Sequence, residues 1–251
     1  MKTQTPTFKY EQQYWQQGID LIAGVDEVGM GALAGPVCAA AVIFGSGKTQ
    51  NASPVAKAMG DKEIKRQNIG IPLTRDKIFI RDSKTLSAKQ REMAEKWIRE
   101  NALAWAVGEA SVEEITVLNI RRASHLAMRR AVDALSQKPE MLLVDGNPAQ
   151  PHETVPSVNI LDGDALSFSI AAASIVAKVY RDNLMVELDK KYPAYGFAAH
   201  KGYGSQFHLG ALKEHGACAI HRPTYAPIAK LKRQNESHFA PPKAGLRGTR
   251  N

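Results

Sequence analysis

The sequence predicts an α/β domain, a mixed β-sheet flanked by helices with a helical C-terminal part. Three observations carry this expectation. Five short apolar segments, each closed by Gly, Asp or Asn, read as strands. Segments with helix-capping signals and helical periodicity fall between and after them. Strands come first and helices fill the last third, the order of a sheet with helices inserted and appended.

The strands are expected at Leu21–Glu27, Pro36–Phe44, Leu103–Ala110, Met141–Asp145 and Val155–Leu161. The first two are joined by a Gly-rich stretch that predicts a tight turn and antiparallel pairing. Ser87 followed by Gln90 is a capping box opening a helix to about Asn101. Ser111 with Glu114 opens a second helical stretch, and Leu118 to Leu135 continues it with Leu126, Ala127 and Ala131 on one face. Asp164 or Ser167 caps a long helix that Pro193 stops, and Gln206 to His215 forms a further helix ending at Gly216.

We expect an N-terminal extension over 1–20, one domain over 21–229 and a basic, disordered tail over 230–251. Within the domain, 45–80 is a long polar insertion and 167–229 is the helical C-terminal part. There is no internal repeat.

Among 251 residues, 33 Lys and Arg oppose 25 Asp and Glu, a formal charge of +8. Hydrophobic content of 44% with 23% charged residues is that of a soluble globular protein. No apolar run reaches the ~20 residues a membrane helix requires. The first 18 residues lack the apolar core of a signal peptide. Cys38 and Cys218 form no metal or redox spacing, so a cytoplasmic location is expected. The basic balance suggests a polyanionic partner or serves solubility alone.

The segment IAGVDEVGMGALAGPV places Asp26 and Glu27 at the end of an apolar strand. Two adjacent buried carboxylates are costly unless a cation neutralises them. Alternatively, Glu27 points to solvent and Asp26 caps the turn, because successive strand side chains face opposite ways. Asp145 closes another strand, and Asp164 sits just before the long helix. Singly, Asp145 reads as a turn residue and Asp164 as a favourable charge at a helix start. All four at element ends suit two Mg²⁺ or Mn²⁺ ions better than zinc, which prefers His or Cys. The seven histidines show no ligand spacing and are expected mostly at the surface.

Several segments together resemble bacterial ribonuclease HII: GVDEVGMGALAGPV, DSKTLS, NIRRASHLAMRRAV, LLVDGN, GDALSFSIAAASIVAKVYRD, YPAYGFAAHKGYG and HLGALKEHG. The match runs from about Ile22 to Pro227, interrupted by the 45–80 insertion. The resemblance implies a ribonuclease H-like fold with a C-terminal helical extension. It implies cleavage of the RNA strand of RNA–DNA hybrids and nicking 5′ to a lone ribonucleotide in duplex DNA. Asp26, Glu27, Asp145 and Asp164 would then be the metal-binding catalytic acids, with Mn²⁺ or Mg²⁺ as cofactor. The expected partners are hybrid and ribonucleotide-containing duplexes, with no membrane and a monomeric chain.

By the same resemblance, Tyr203 stacks on the deoxyribose beside the scissile junction, although in isolation it reads as a core or turn tyrosine. Ser83 and Lys84 resemble a substrate-contacting loop. Lys178 and Arg181, three apart on the long helix, can share a face toward phosphates or be a solvated face. The family's turn reads Gly-Arg-Gly, and here it is Gly29-Met30-Gly31. In the family, backbone groups of this turn recognise the ribose 2′-OH. Both glycines survive, but Met30 supplies no forked phosphate contact. Ribonucleotide selectivity is therefore expected to persist with weaker binding.

Rival readings are a ribonuclease HIII, a junction-resolving nuclease of similar fold, and a non-catalytic nucleic-acid-binding relative. Ribonuclease HIII carries an extra N-terminal domain, whereas only 25 residues precede Asp26.

Overall fold

The computed structural model describes residues 5–46, 79–146 and 152–231. Five strands form one sheet: β1 Ile22–Val28, β2 Val37–Ile43, β3 Ala104–Ala110, β4 Met141–Asp145 and β5 Ser157–Ile160. Their order is β3-β2-β1-β4-β5. β1 pairs antiparallel with β2, and β2 with β3, while β1–β4 and β4–β5 are parallel. Each expected strand is present, with ends shifted by a few residues.

The central strands are buried on both faces, and β2 shows why. Val37, Ala39, Ala41 and Ile43 join one core cluster with Ala123, Ala127, Met128 and Ala131. The alternate residues Ala40 and Val42 join another with Phe44, Trp97, Phe168, Ala172 and Ile175. A period of two thus sends one strand's side chains into two helical layers. One layer is α4, Ile120–Asp133. The other contains α2, Ala88–Asn101, and α6, Phe168–Lys191.

Two glycines let these helices approach. A Cβ on Gly24 of β1 would lie 2.1 Å from the Ser169 main chain of α6. One on Gly108 of β3 would lie 2.2 Å from the Ala127 carbonyl of α4.

Ser87 and Ser111 form the expected capping boxes on α2 and on α3, Val112–Leu118. The stretch expected as one helix through Leu135 is broken at Asn119 (φ 67°), whose side chain caps α4. Ser167, not Asp164, caps α6; Asp164 lies in the short preceding helix α5, Gly163–Leu166. Beyond Pro193 follow α7, Phe197–His200, and α8, Gln206–His215, which Gly216 ends.

The expected tight β1–β2 turn is instead the loop 29–36, held by distant segments. Leu33 N–H donates to Gly202 O, Gly35 N–H to Ile220 O and Arg222 N–H to Leu33 O. Three main-chain bonds from the C-terminal part thus replace the local closure of a two-residue turn.

The N-terminal segment is docked. In it α1, Lys9–Trp15, buries Glu11, whose carboxylate accepts from Ser167 Oγ at 2.6 Å and Ser169 N at 2.9 Å. Those bonds satisfy the start of α6. The 45–80 insertion lies largely outside the described residues, and so does the tail after Leu231; residues 226–231 are helical. Among the described residues no helix is long and apolar enough to cross a membrane.

Candidate active site

β1 and β4 are parallel neighbours with Val25 opposite Val144, so Asp26 and Asp145 follow side by side at one sheet edge. β5 lies beside β4 with Ile160 opposite Asp145. The chain leaving β5 turns through Asp162 (φ 53°) into α5, bringing Asp164 back over the same edge. Asp145 Oδ1 accepts the Gly163 N–H at 2.6 Å and locks that return. Carboxyl ends of parallel strands are a common place for ligands in α/β sheets.

The four carboxylates sense one another. Burial, then Glu27, Asp145 and Asp164, hold Asp26 well above the usual carboxylate range. Glu27 is pushed up to about 7, by burial first and then by Asp145. Asp164 is pushed up to about 6, by burial and then by Asp145 and Asp82. Asp145 is raised by burial, which outweighs the opposing pull of the Gly163 and Asp164 amides. Lys84 supplies a cation, 3.7 Å from Asp164 Oδ2, but its side chain is 81% exposed. One solvated ammonium offsets little of this repulsion.

Such a cluster of hard oxygen donors matches Mg²⁺ or Mn²⁺ in chemistry. Among the described residues, no three His, Cys, Asp or Glu side chains are drawn together closely enough to hold an ion as they stand. The donor set suits a divalent cation in chemistry.

Asp26, Glu27, Asp145, Asp164 and Lys84 are thus brought together. Ser83 is not presented to a ligand: it is buried, and its hydroxyl hydrogen-bonds Ser174 Oγ of α6 at 2.9 Å. Ser174 also hydrogen-bonds Asp26. Gly29 adopts φ +93° above Arg181, where a Cβ would lie 2.2 Å from Arg181 Nε, while a Cβ on Gly31 would meet open space. Met30 packs half-buried on the core, and its carbonyl accepts from Arg222 Nη1 at 3.0 Å and Tyr225 OH at 2.5 Å.

The expectation that Arg181 faces phosphates is corrected. It is fully buried, and its guanidinium donates to the carbonyls of Pro36, Lys201 and Ala34 at 2.9–3.0 Å. A forked donor at the base of two loops leaves nothing for solvent. Lys178 is half-buried and paired with Asp182 at 2.6 Å. Tyr203 is 36% exposed, its ring 5.6 Å from the Arg181 guanidinium and 5.8 Å from the Lys178 ammonium.

The expectation of surface histidines fails for two: His208 and His221 are buried. Arg222, also fully buried, was not singled out in the sequence, although it binds three carbonyls of the 29–36 loop. Its only sequence signal is a basic residue between apolar segments, which reads equally as surface.

A mixed five-stranded sheet flanked by helices, with carboxylates gathered at the ends of its central parallel strands, defines a protein of the ribonuclease H-like class. The solved ribonuclease H2 from Pyrococcus horikoshii OT3 shares the fold, with a TM-score of 0.64 and 24% identity over 86% of this chain and 99% of that one. Bst-RNase HIII in complex with Mn²⁺ shares it at a TM-score of 0.57 and 16% identity, over 89% of this chain and 72% of that one.

The chain belongs to the ribonuclease HII family. The family model for Ribonuclease HII matches residues 73–228. The curated ribonuclease HII of Albidiferax ferrireducens is 45% identical over 92% of this chain and 97% of its own length. That of Myxococcus xanthus is 46% identical over 88% of this chain, which spans 66% of that longer relative.

Proposed function

We propose that the protein is a divalent-metal-dependent endonuclease that hydrolyses the RNA strand of RNA–DNA hybrids and nicks duplex DNA 5′ to single embedded ribonucleotides. The observation carrying this reading is the convergence of Asp26, Glu27, Asp145 and Asp164 at one sheet edge, each carboxyl raised above its ordinary range. Family membership supplies the substrate class, and the Mn²⁺ complex of the ribonuclease HIII neighbour supports the metal.

Two Mn²⁺ or Mg²⁺ ions, when bound, activate water and stabilise the leaving oxygen. The four carboxylates would hold those ions. Asp145, tied to the Gly163 amide, sets the position of the Asp164 element relative to β4. Lys84 contributes positive charge on the open side, suited to a phosphate. The 29–31 turn offers main-chain groups to the ribose, and the partly exposed Tyr203 ring offers a stacking face.

The test is a duplex DNA carrying one ribonucleotide, incubated with Mn²⁺, with Mg²⁺, or with chelator. Metal-dependent cutting only 5′ to the ribonucleotide supports the reading. Cutting of all-DNA junctions indicates a resolvase, and binding without cutting indicates an inactive relative.

A further inference from the structure

His208, on α8, lies under the Tyr203 loop, and His221 lies beside the 29–36 loop, where it bridges to Ala34. Their Nε2 atoms are 3.0 Å apart. His208 Nδ1 is 2.9 Å from the Tyr203 carbonyl, and the Cys218 N–H donates to His221 Nδ1 at 2.9 Å. A carbonyl can only accept, so His208 carries its proton on Nδ1 and accepts at Nε2. The main-chain N–H of Cys218 can only donate, so His221 accepts at Nδ1 and donates from Nε2. Both assignments agree at the shared contact. The Cys218 carbonyl also lies 3.3 Å from His221 Nδ1, but the shorter 2.9 Å N–H contact occupies the lone pair of that nitrogen, so one arrangement of protons satisfies all three bonds with both rings neutral.

We propose that this directed chain, from Cys218 N–H through His221 and His208 to the Tyr203 carbonyl, sets the position of Tyr203, with His208 as its positioning residue. The proposal rests on the stacking role read for Tyr203 above.

Packing supports the assignment. The His208 ring stacks on His200, with centroids 4.5 Å apart, and meets Phe197 edge-on at 5.4 Å. It is therefore held against rotation. The Tyr203 carbonyl also accepts the Ser205 N–H at 2.8 Å, so both of its lone pairs are used. Burial lowers the basicity of both rings, with His221 reaching about 4, which keeps the neutral arrangement in place at neutral pH. The same segments zip the two loops together through Leu33 N–H to Gly202 O and Arg222 N–H to Leu33 O. The turn read as contacting ribose and the tyrosine read as stacking thus share one buried support.

Two conservative substitutions separate positioning from bulk packing. His208→Asn places an amide donor where Nδ1 stands and keeps the bond to Tyr203. His208→Gln reaches instead toward the Nε2 position and loses that bond. We expect main-chain amides at 203 and 205 to exchange about tenfold faster in His208→Gln and at the wild-type rate in His208→Asn. In chelator, the Kd for a ribonucleotide-containing duplex should rise about fivefold in His208→Gln only. Combined with Tyr203→Ala, His208→Gln should add no further loss.

Equal exchange in wild type and His208→Gln, equally fast exchange in both variants, or additive loss with Tyr203→Ala would overturn the proposal. If the wild-type protein binds no duplex, the functional reading of Tyr203 falls, while the exchange comparison still decides the relay.

Discussion

Asp145 Oδ1 and the Gly163 N–H meet at 2.6 Å, joining the end of a central strand to the short helix that carries Asp164. Two acids separated in sequence are thereby held at one edge by a bond that one of them makes itself. The bond lowers the cost of ionising Asp145, although burial still raises its carboxyl overall. Its acceptor is the carboxylate that the proposed chemistry uses.

Asp145→Asn tests that dual role. The amide oxygen can still accept from Gly163, so the thermal midpoint should hold or rise slightly as repulsion with Glu27 and Asp164 is relieved. Cleavage of a ribonucleotide-containing duplex should fall by at least about 100-fold. Retained cleavage would remove Asp145 from the proposed chemistry.

The raised carboxyls predict a pH-dependent response to metal. Between their ordinary values of 4.5 and 3.8 and folded values near 7 for Glu27 and 6 for Asp164, the folded chain binds more protons than the unfolded one. Metal-free stability from these groups is thus fully present below about pH 4 and lost as pH rises through 6 to 7, on the order of 2–3 kcal/mol each. A divalent cation binds the ionised forms, so the midpoint gain on adding Mn²⁺ should grow from pH 5 to pH 8 and vanish with chelator. An equal gain at both pH values would contradict the site.

Gly24→Ala should destabilise the fold. The added methyl would sit 2.1–2.4 Å from the main chain of Ser169 and Ile170 at the start of α6, where no side chain can swing aside. A loss of about 3 kcal/mol in urea unfolding is expected. Gly31→Ala, which meets open space, is the control.

Met30→Arg tests the departure in the glycine turn. The Met30 carbonyl stays bound to Arg222 and Tyr225 whatever the side chain, so the main chain should persist. The guanidinium should tighten duplex binding and steepen the log–log salt slope by about 0.9. A small stability loss from the vacated packing, about 1 kcal/mol, should accompany it. Unchanged affinity and slope would show that no phosphate lies within reach.

Local rules carried far along this chain. Ser87, Ser111 and Ser167 cap helices because a hydroxyl two or three residues before free main-chain donors satisfies them wherever it occurs. The strand end at Asp145, and that of β1 to within one residue of Glu27, are legible from apolar runs closed by acids and glycine. Asn119 is not, because nothing in the local sequence fixes its positive φ of 67°. The buried place of Arg181 is not legible for a related reason. Helical spacing says which residues share a face, but not whether that face meets solvent or two loops folded back from elsewhere.

The sequence by itself determined the strands, the serine caps at 87 and 111, the placing of the four acids at element ends and, through its motifs, the family, since each is written in residue type and short-range spacing. Only the tertiary structure decided which acids stand side by side. That follows from β1 lying parallel to β4 and from Asp162 turning the chain back. It also decided that Arg181, Arg222, His208 and His221 are buried supports. A buried polar side chain is defined by the donors and acceptors around it, and here those partners come from segments as distant as Met30 and Arg222.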